Sequence, residues 1–175
     1  MFMKFNTRAA LAALTIVGAL LAGTQPAAAD AEIQCSPGAG VACPHYEIID
    51  VKRTGGHVDK LKPIASCTVG SGGGACTITS CKTVTRTVGV RLGVDVGFVK
   101  SQLSISQADA ELTSVSCTSP VLSTGQTWAT WGMGNKFEYK VKRWYATPIG
   151  ETIPEISTEH RAFDPDGTQT YCGVL

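Results

Sequence analysis

The chain has 175 residues, 43% of them apolar, with 15 Lys and Arg against 14 Asp and Glu. A formal charge of +1 lacks the basic excess by which proteins hold nucleic acid or an anionic membrane, so neither is expected as the main partner. The 7 cysteines are an odd number, so at most three bridges can form within one chain.

The first segment reads as a secretory signal peptide, residues 1–29. Lys4 and Arg8 precede an uncharged stretch from Ala9 to Gly23, and Ala27-Ala28-Ala29 offers the small residues of a cleavage site after Ala29. The apolar run of about 15 residues falls short of the roughly 20 that an anchor needs. Thr24 stands where a lipidated Cys would have to be, so no stable membrane anchor is expected. Removing 29 of 175 residues leaves 146, which fits one domain with its own core. What remains carries 13 Lys and Arg against 14 Asp and Glu and all 7 cysteines. Secretion would take those cysteines to a compartment where disulfides persist.

Residues 30–46 are poor in large apolar side chains and read as an extended N-terminal arm, with Ser36-Pro37-Gly38-Ala39-Gly40 between Cys35 and Cys43. Those two cysteines could close it into a small loop. A single β domain is expected over 47–175. A strand at Tyr46 to Lys52 is ended by Thr54-Gly55-Gly56. Ile64 to Val69 and Ala75 to Thr79 follow, joined by a glycine loop, and a hairpin there would bring Cys67 and Cys76 within bridging distance.

From Lys82 onward, Val84, Val88, Val90, Leu92, Val94, Val96 and Phe98 all fall on even positions, the period of a strand with one apolar face. The parity changes near Phe98 to Ser101, where a bulge or turn is expected. Residues 82 to 117 then form a long hairpin, with Cys81 and Cys117 bridged at its feet. Leu122 to Trp131 is a further strand, and Phe137, Tyr139 and Val141 alternate with Lys136, Glu138, Lys140 and Lys142 in another. Asp164-Pro165-Asp166-Gly167 marks a turn before Tyr171-Cys172. No amphipathic helix of ordinary length stands out. The fold class is all-β: a small, disulfide-braced, sandwich-like domain with a long hairpin and an extended arm.

No set of residues points to catalysis, and no cofactor is expected. Ser71 in the glycine loop, with His57 and Asp59, imitates a nucleophilic triad, but such residues come from distant elements of a usually larger domain. Three histidines without a His-Glu-x-x-His helix or paired Cys-x-x-Cys units do not make a zinc site. In a calcium loop starting at Asp164, the sixth position would be Gln169 and the twelfth Leu175, so a β-turn is the better reading. Trp128, Trp131, Trp144 and Tyr145 could anchor a partner, though core packing is the first expectation for aromatics in a small β domain. The 82–117 hairpin raises pore formation, because strands of about 10 residues with one apolar face can span lipid in a barrel.

Cys67 to Cys76 around a glycine turn, Lys82-Thr83-Val84, Gly125-Gln126-Thr127-Trp128, Phe137-Glu138-Tyr139-Lys140-Val141 and Ala162-Phe163-Asp164-Pro165 leading to Tyr171-Cys172 together resemble small secreted β proteins of filamentous actinobacteria. Within that group the chain is similar to the small B subunit of umbrella toxin particles. The resemblance implies a non-enzymatic adaptor, whose β domain docks on a large toxin subunit and whose arm inserts into a lectin-like or protease-like subunit of an antibacterial complex. The bulk of such an arm would be Ile33, Val41 and Tyr46, although Pro37 and Pro44 cannot donate to a β-ladder. A membrane-active pore former and a secreted protease inhibitor are the alternatives.

Overall fold

The computed structural model describes residues 42–175. The segment read as a signal peptide, together with Ile33, Cys35, Val41 and the rest of the expected arm before Ala42, lies outside them. The described chain is mostly strand: β1 (Cys43–Val58), β2 (Ala65–Thr68), β3 (Thr77–Thr85), β4 (Thr87–Val88), one short helix α1 (Val96–Gln102), β5 (Ala110–Thr118), β6 (Thr127–Thr147), β7 (Gly150–Glu151), β8 (Glu155–Ile156) and β9 (His160–Val174).

β6 is the spine. Along one edge it pairs antiparallel with β1 and then β2, and along the other with β9, β8 and β7, while β4 continues the sheet beyond β9. β1 stays paired over its length by absorbing two irregularities, one after Ile49 beside Asp50 (φ 56°) and one at Gly55-Gly56. The glycine pair expected to end this strand instead makes a bulge, because an extra residue bends a ladder without breaking it. At Gly134 the β9 backbone comes so close that a Cβ would lie within bonding range of the Asp164 carbonyl, and only glycine fits.

Apolar clusters form on both faces of this spine, with a small third one of Val69, Cys76 and Leu122 packed on Trp128 beside the second. In the first, Phe137, Tyr139 and Val141 of β6 pack with Val94, Val99, Leu103 and Ile105 from the α1 region. In the second, Ile64, Ile78 and Val115 gather around Trp128 and Val84, and a Cβ on Gly132 would lie 3.2 Å from Val84. The first set is odd-numbered on β6 and the second even-numbered. With a side-chain period of two, the two clusters occupy opposite faces of one long sheet.

The long hairpin is present only at its base. β3 and β5 pair from Thr77↔Thr118 to Thr85↔Ala110 and form a separate two-stranded sheet. The even-numbered run 84–98 is not one strand. After β4 the chain turns through Leu92 (φ 61°) and Gly93 (φ 77°), and Asp95 caps α1 by accepting from the Phe98 N–H at 3.1 Å. Val99, on α1, and Leu103, which ends it, are four positions apart and both point into the first cluster. That burial outweighs the β preference of the valines around them.

One ionic node ties the small sheet to the large one. The Arg86 side chain is only 5% exposed, and it bonds Asp164 of β9 and Glu111 of β5, both at 2.6 Å. It also donates to the Ala110 carbonyl at 3.0 Å. Burial works against its charge, but the hydrogen bonds and charges of Asp164 and Glu111 outweigh it and hold its pKa above the ordinary arginine value.

Candidate functional site

At one end of the spine Cys43, Ala146 and Glu151 form a single row across β1, β6 and β7. β1 therefore begins beside the β6–β7 turn. That turn and the strands after it expose Ile149 (98%), Ile153 (93%) and Ile156 (56%). Pro148, Gly150 and Pro154 hold these side chains on tight connections that have no interior to bury them in. Beside them, the His45 and Trp144 rings stack at 5.5 Å, with Lys142 Nζ 5.1 Å from the Trp144 ring and Arg143 5.4 Å from the Tyr145 ring. The four aromatics are thus split. Trp131 is buried and Trp128 packs on the second cluster, whereas Trp144 and Tyr145 are half-exposed at this end.

Tyr46, expected in the arm, is part of β1. It packs on the first cluster, opposite Arg143, and its hydroxyl donates to the Leu92 carbonyl at 3.2 Å. The arm therefore ends before Cys43. Cys43 is disulfide-bonded, and the bridge suggested for it, to Cys35, falls outside the described residues.

Cys67 and Cys76 are bridged as expected, across the glycine loop. At Gly73 (φ 71°) a Cβ would lie 2.7 Å from the Leu122 carbonyl, so this turn needs glycine. The Cys81–Cys117 bridge is not formed. The β3–β5 register sets Ser114 opposite Cys81 and Ile78 opposite Cys117, and Cys81, three residues from Ile78, lies on the other face of the strand. Cys117 bonds Cys172 of β9 instead, and Cys81 is free and exposed. Such bridges belong to proteins of oxidising compartments outside the cytosol.

The imitation triad does not assemble. The His57 ring packs edge-on to Phe163, Asp59 accepts from the Leu61 N–H, and Ser71 lies exposed in the glycine loop. Asp164-Pro165-Asp166-Gly167, expected as a turn, lies within β9 beside the irregularity opposite Gly132 to Gly134, and there Asp166 accepts from Thr168 and Gln169, which lowers its pKa. Among the described residues no group of three or more His, Cys, Asp or Glu could hold a metal ion, and no helix is long and apolar enough to cross a membrane.

A second feature went unseen in the sequence. A cleft of about 740 Å³ opens between residues 57–64 and 82–85, over a floor of Gly132, Ala162 and Phe163. Its basic lining residues are Lys60, Lys62, Lys82, Lys136 and Arg161, against Asp59 alone as an acid. Lys136 is bound to Glu138 at 2.6 Å and Arg161 lies 3.7 Å from the same carboxylate. Among the described residues no carboxylate lies within 4 Å of Lys60, Lys62 or Lys82. The Lys60-Leu61-Lys62 run was the only sign of this cleft in the sequence, since its other cations come from distant elements.

No protein-family model matches the chain, and no curated protein matches it. The geometry above therefore stands alone as the guide to function.

Proposed function

We propose that the chain is a secreted, non-enzymatic adaptor that joins two protein partners, and that it serves as the small linking subunit of an antibacterial umbrella toxin complex. In this reading the arm before Cys43 engages a lectin-like or protease-like subunit, and the β domain docks on the large toxin-bearing subunit. The observation that carries it is the juxtaposition at one end of the spine, where β1 begins in the same row as a turn displaying nearly bare isoleucines. Side chains of that kind, grouped on one end of a domain, mark a surface that another protein covers. An extended arm adds affinity through main-chain hydrogen bonds without needing any chemistry of its own.

Pore formation has lost the pattern that raised it, because residues 96–102 are helix and the base of the hairpin is fastened by Arg86 and by Cys117–Cys172. The test is affinity purification of the tagged mature chain from its native culture medium, followed by mass spectrometry. A large secreted toxin and a second, lectin-like or protease-like chain should come with it. Ile149→Asp with Ile153→Asp should lose one partner, and removal of residues 30–42 the other. Recovery of the chain alone, or dye release from liposomes by the chain alone, would overturn the adaptor reading.

A further inference from the structure

The cationic cleft lies against the Gly132 to Lys136 stretch of β6, away from the isoleucine turn that follows Thr147, and its construction points to a particular kind of occupant. Four consecutive residues of one strand, Lys82, Thr83, Val84 and Thr85, line it. A strand alternates its side chains between two faces, so a consecutive run lines a cleft only where the strand presents its edge. That edge is open: β3 pairs with β5 alone, and among the described residues no strand occupies its other side. Facing it across the cleft is the connection between β1 and β2, which carries Lys60 and Lys62.

Unpaired strand edges are sites at which another chain can add a strand, and proteins often guard them with lysine. Lys82 alone would serve as such a guard. The further cations on the facing wall go beyond what guarding needs, and Lys60, Lys62 and Lys82 have no carboxylate of their own to neutralise them. The near-zero charge of the whole chain conceals this concentration of one sign in one concavity, where low-dielectric walls strengthen the attraction for the opposite sign.

We propose that the cleft receives an extended, acidic segment of a partner protein, which adds to the outer edge of β3 by main-chain hydrogen bonds while its carboxylates meet Lys60, Lys62 and Lys82. The edge from Lys82 to Thr85 is about 10 Å long at 3.3 Å per residue, so the segment in register is about four residues. The apolar floor at Ala162 and Phe163 takes the side chains that point inward between the acidic ones. The inference goes beyond the adaptor reading and does not use the arm or the isoleucine turn, so it stands or falls separately from them.

The probe is a fluorescein-labelled octapeptide of alternating Glu with Val or Thr, titrated with the purified mature chain at low salt and read by anisotropy. Saturable binding is expected, weakening at least tenfold in Lys62→Glu with Lys82→Glu and at least tenfold when alternate peptide amides are N-methylated on the edge-pairing side. Both lysines are exposed and without a carboxylate partner, so an unchanged melting temperature will show that the variant is folded. The same peptide with Lys in place of Glu should not bind. No binding of the acidic peptide would overturn the proposal. So would binding indifferent to N-methylation and matched by heparin, which would make the cleft a general cationic patch, or concentration-dependent self-association that excludes the peptide.

Discussion

Tyr139 is a single side chain on which the first cluster closes. It is fully buried, and its hydroxyl donates to the Gly89 carbonyl at 2.5 Å. Burial pushes the phenol's pKa up to about 12 from 10.0. Above pH 10 the unfolded chain ionises this group while the folded chain holds its proton, so the contribution is intact below pH 10 and is lost as pH rises toward 12. The loss is about 2 to 3 kcal/mol over that window. Tyr139→Phe should cost about 1 kcal/mol at pH 8 through the lost hydrogen bond, and it should flatten the alkaline fall. Urea midpoints of both proteins at pH 8 and pH 11 check this, and an equal alkaline fall in the variant would place the ionisation elsewhere. Cys81 offers a second test at this scale. A maleimide should label the folded chain without reductant, and Cys81→Ser should abolish that labelling while leaving the melting temperature unchanged. Protection of the thiol would overturn its placement as free and exposed.

Among the elements, the β3–β5 sheet is held to β9 by the Arg86 node. Its guanidinium is taken from water, and two carboxylates and carbonyl oxygens replace the lost hydration. Truncation to Arg86→Met leaves Asp164, with a side chain 18% exposed, without its counter-ion. The expected cost is about 3 to 5 kcal/mol, the scale of breaking a buried ion pair from one side. Chemical denaturation measures it, and a loss below about 1 kcal/mol would mean that solvent already does the guanidinium's work. The same region shows which elements were legible in the sequence. The 136–142 strand could be read because apolar and charged residues alternate there and one face is buried, so period and burial agree. Residues 84–98 could not, although their alternation is longer. Glycines and valines repeat with period two whether or not the chain extends, and Arg86, which fixes the end of β3, looks on paper like one more polar outward residue. The helix signal was present in Asp95 followed by Val99 and Leu103 at a spacing of four, but it was short and set among β-formers. The exposed isoleucines were legible one by one, flanked by Pro and Gly. The cleft was not, because its cations are joined only by the path of the sheet.

At the scale of the whole molecule, β6 serves apolar clusters on opposite faces, with Phe137, Tyr139 and Val141 in the first and Trp128 against the second. The disulfides bear unequally on that arrangement. Cys67–Cys76 closes a separation of 9 residues within one corner, whereas Cys117–Cys172 closes 55 and fastens the two-stranded sheet to the end of β9. In the chain-entropy view the longer loop stabilises by about 1.5 kcal/mol more, because it removes more freedom from the unfolded chain. Replacing Cys117 and Cys172 by Ser should therefore cost more than replacing Cys67 and Cys76, within a range of about 2 to 5 kcal/mol for each pair. The two-faced design adds a spatial expectation. Without Cys117–Cys172 the small sheet is held by the second cluster and the Arg86 node, while the first cluster lies on the far face and keeps all its contacts. Hydrogen exchange should then accelerate in β3 and β5 well before it does at Phe137 to Val141. Simultaneous loss of protection in both regions would show that the spine transmits unfolding from one face to the other, and that the two cores form one cooperative unit.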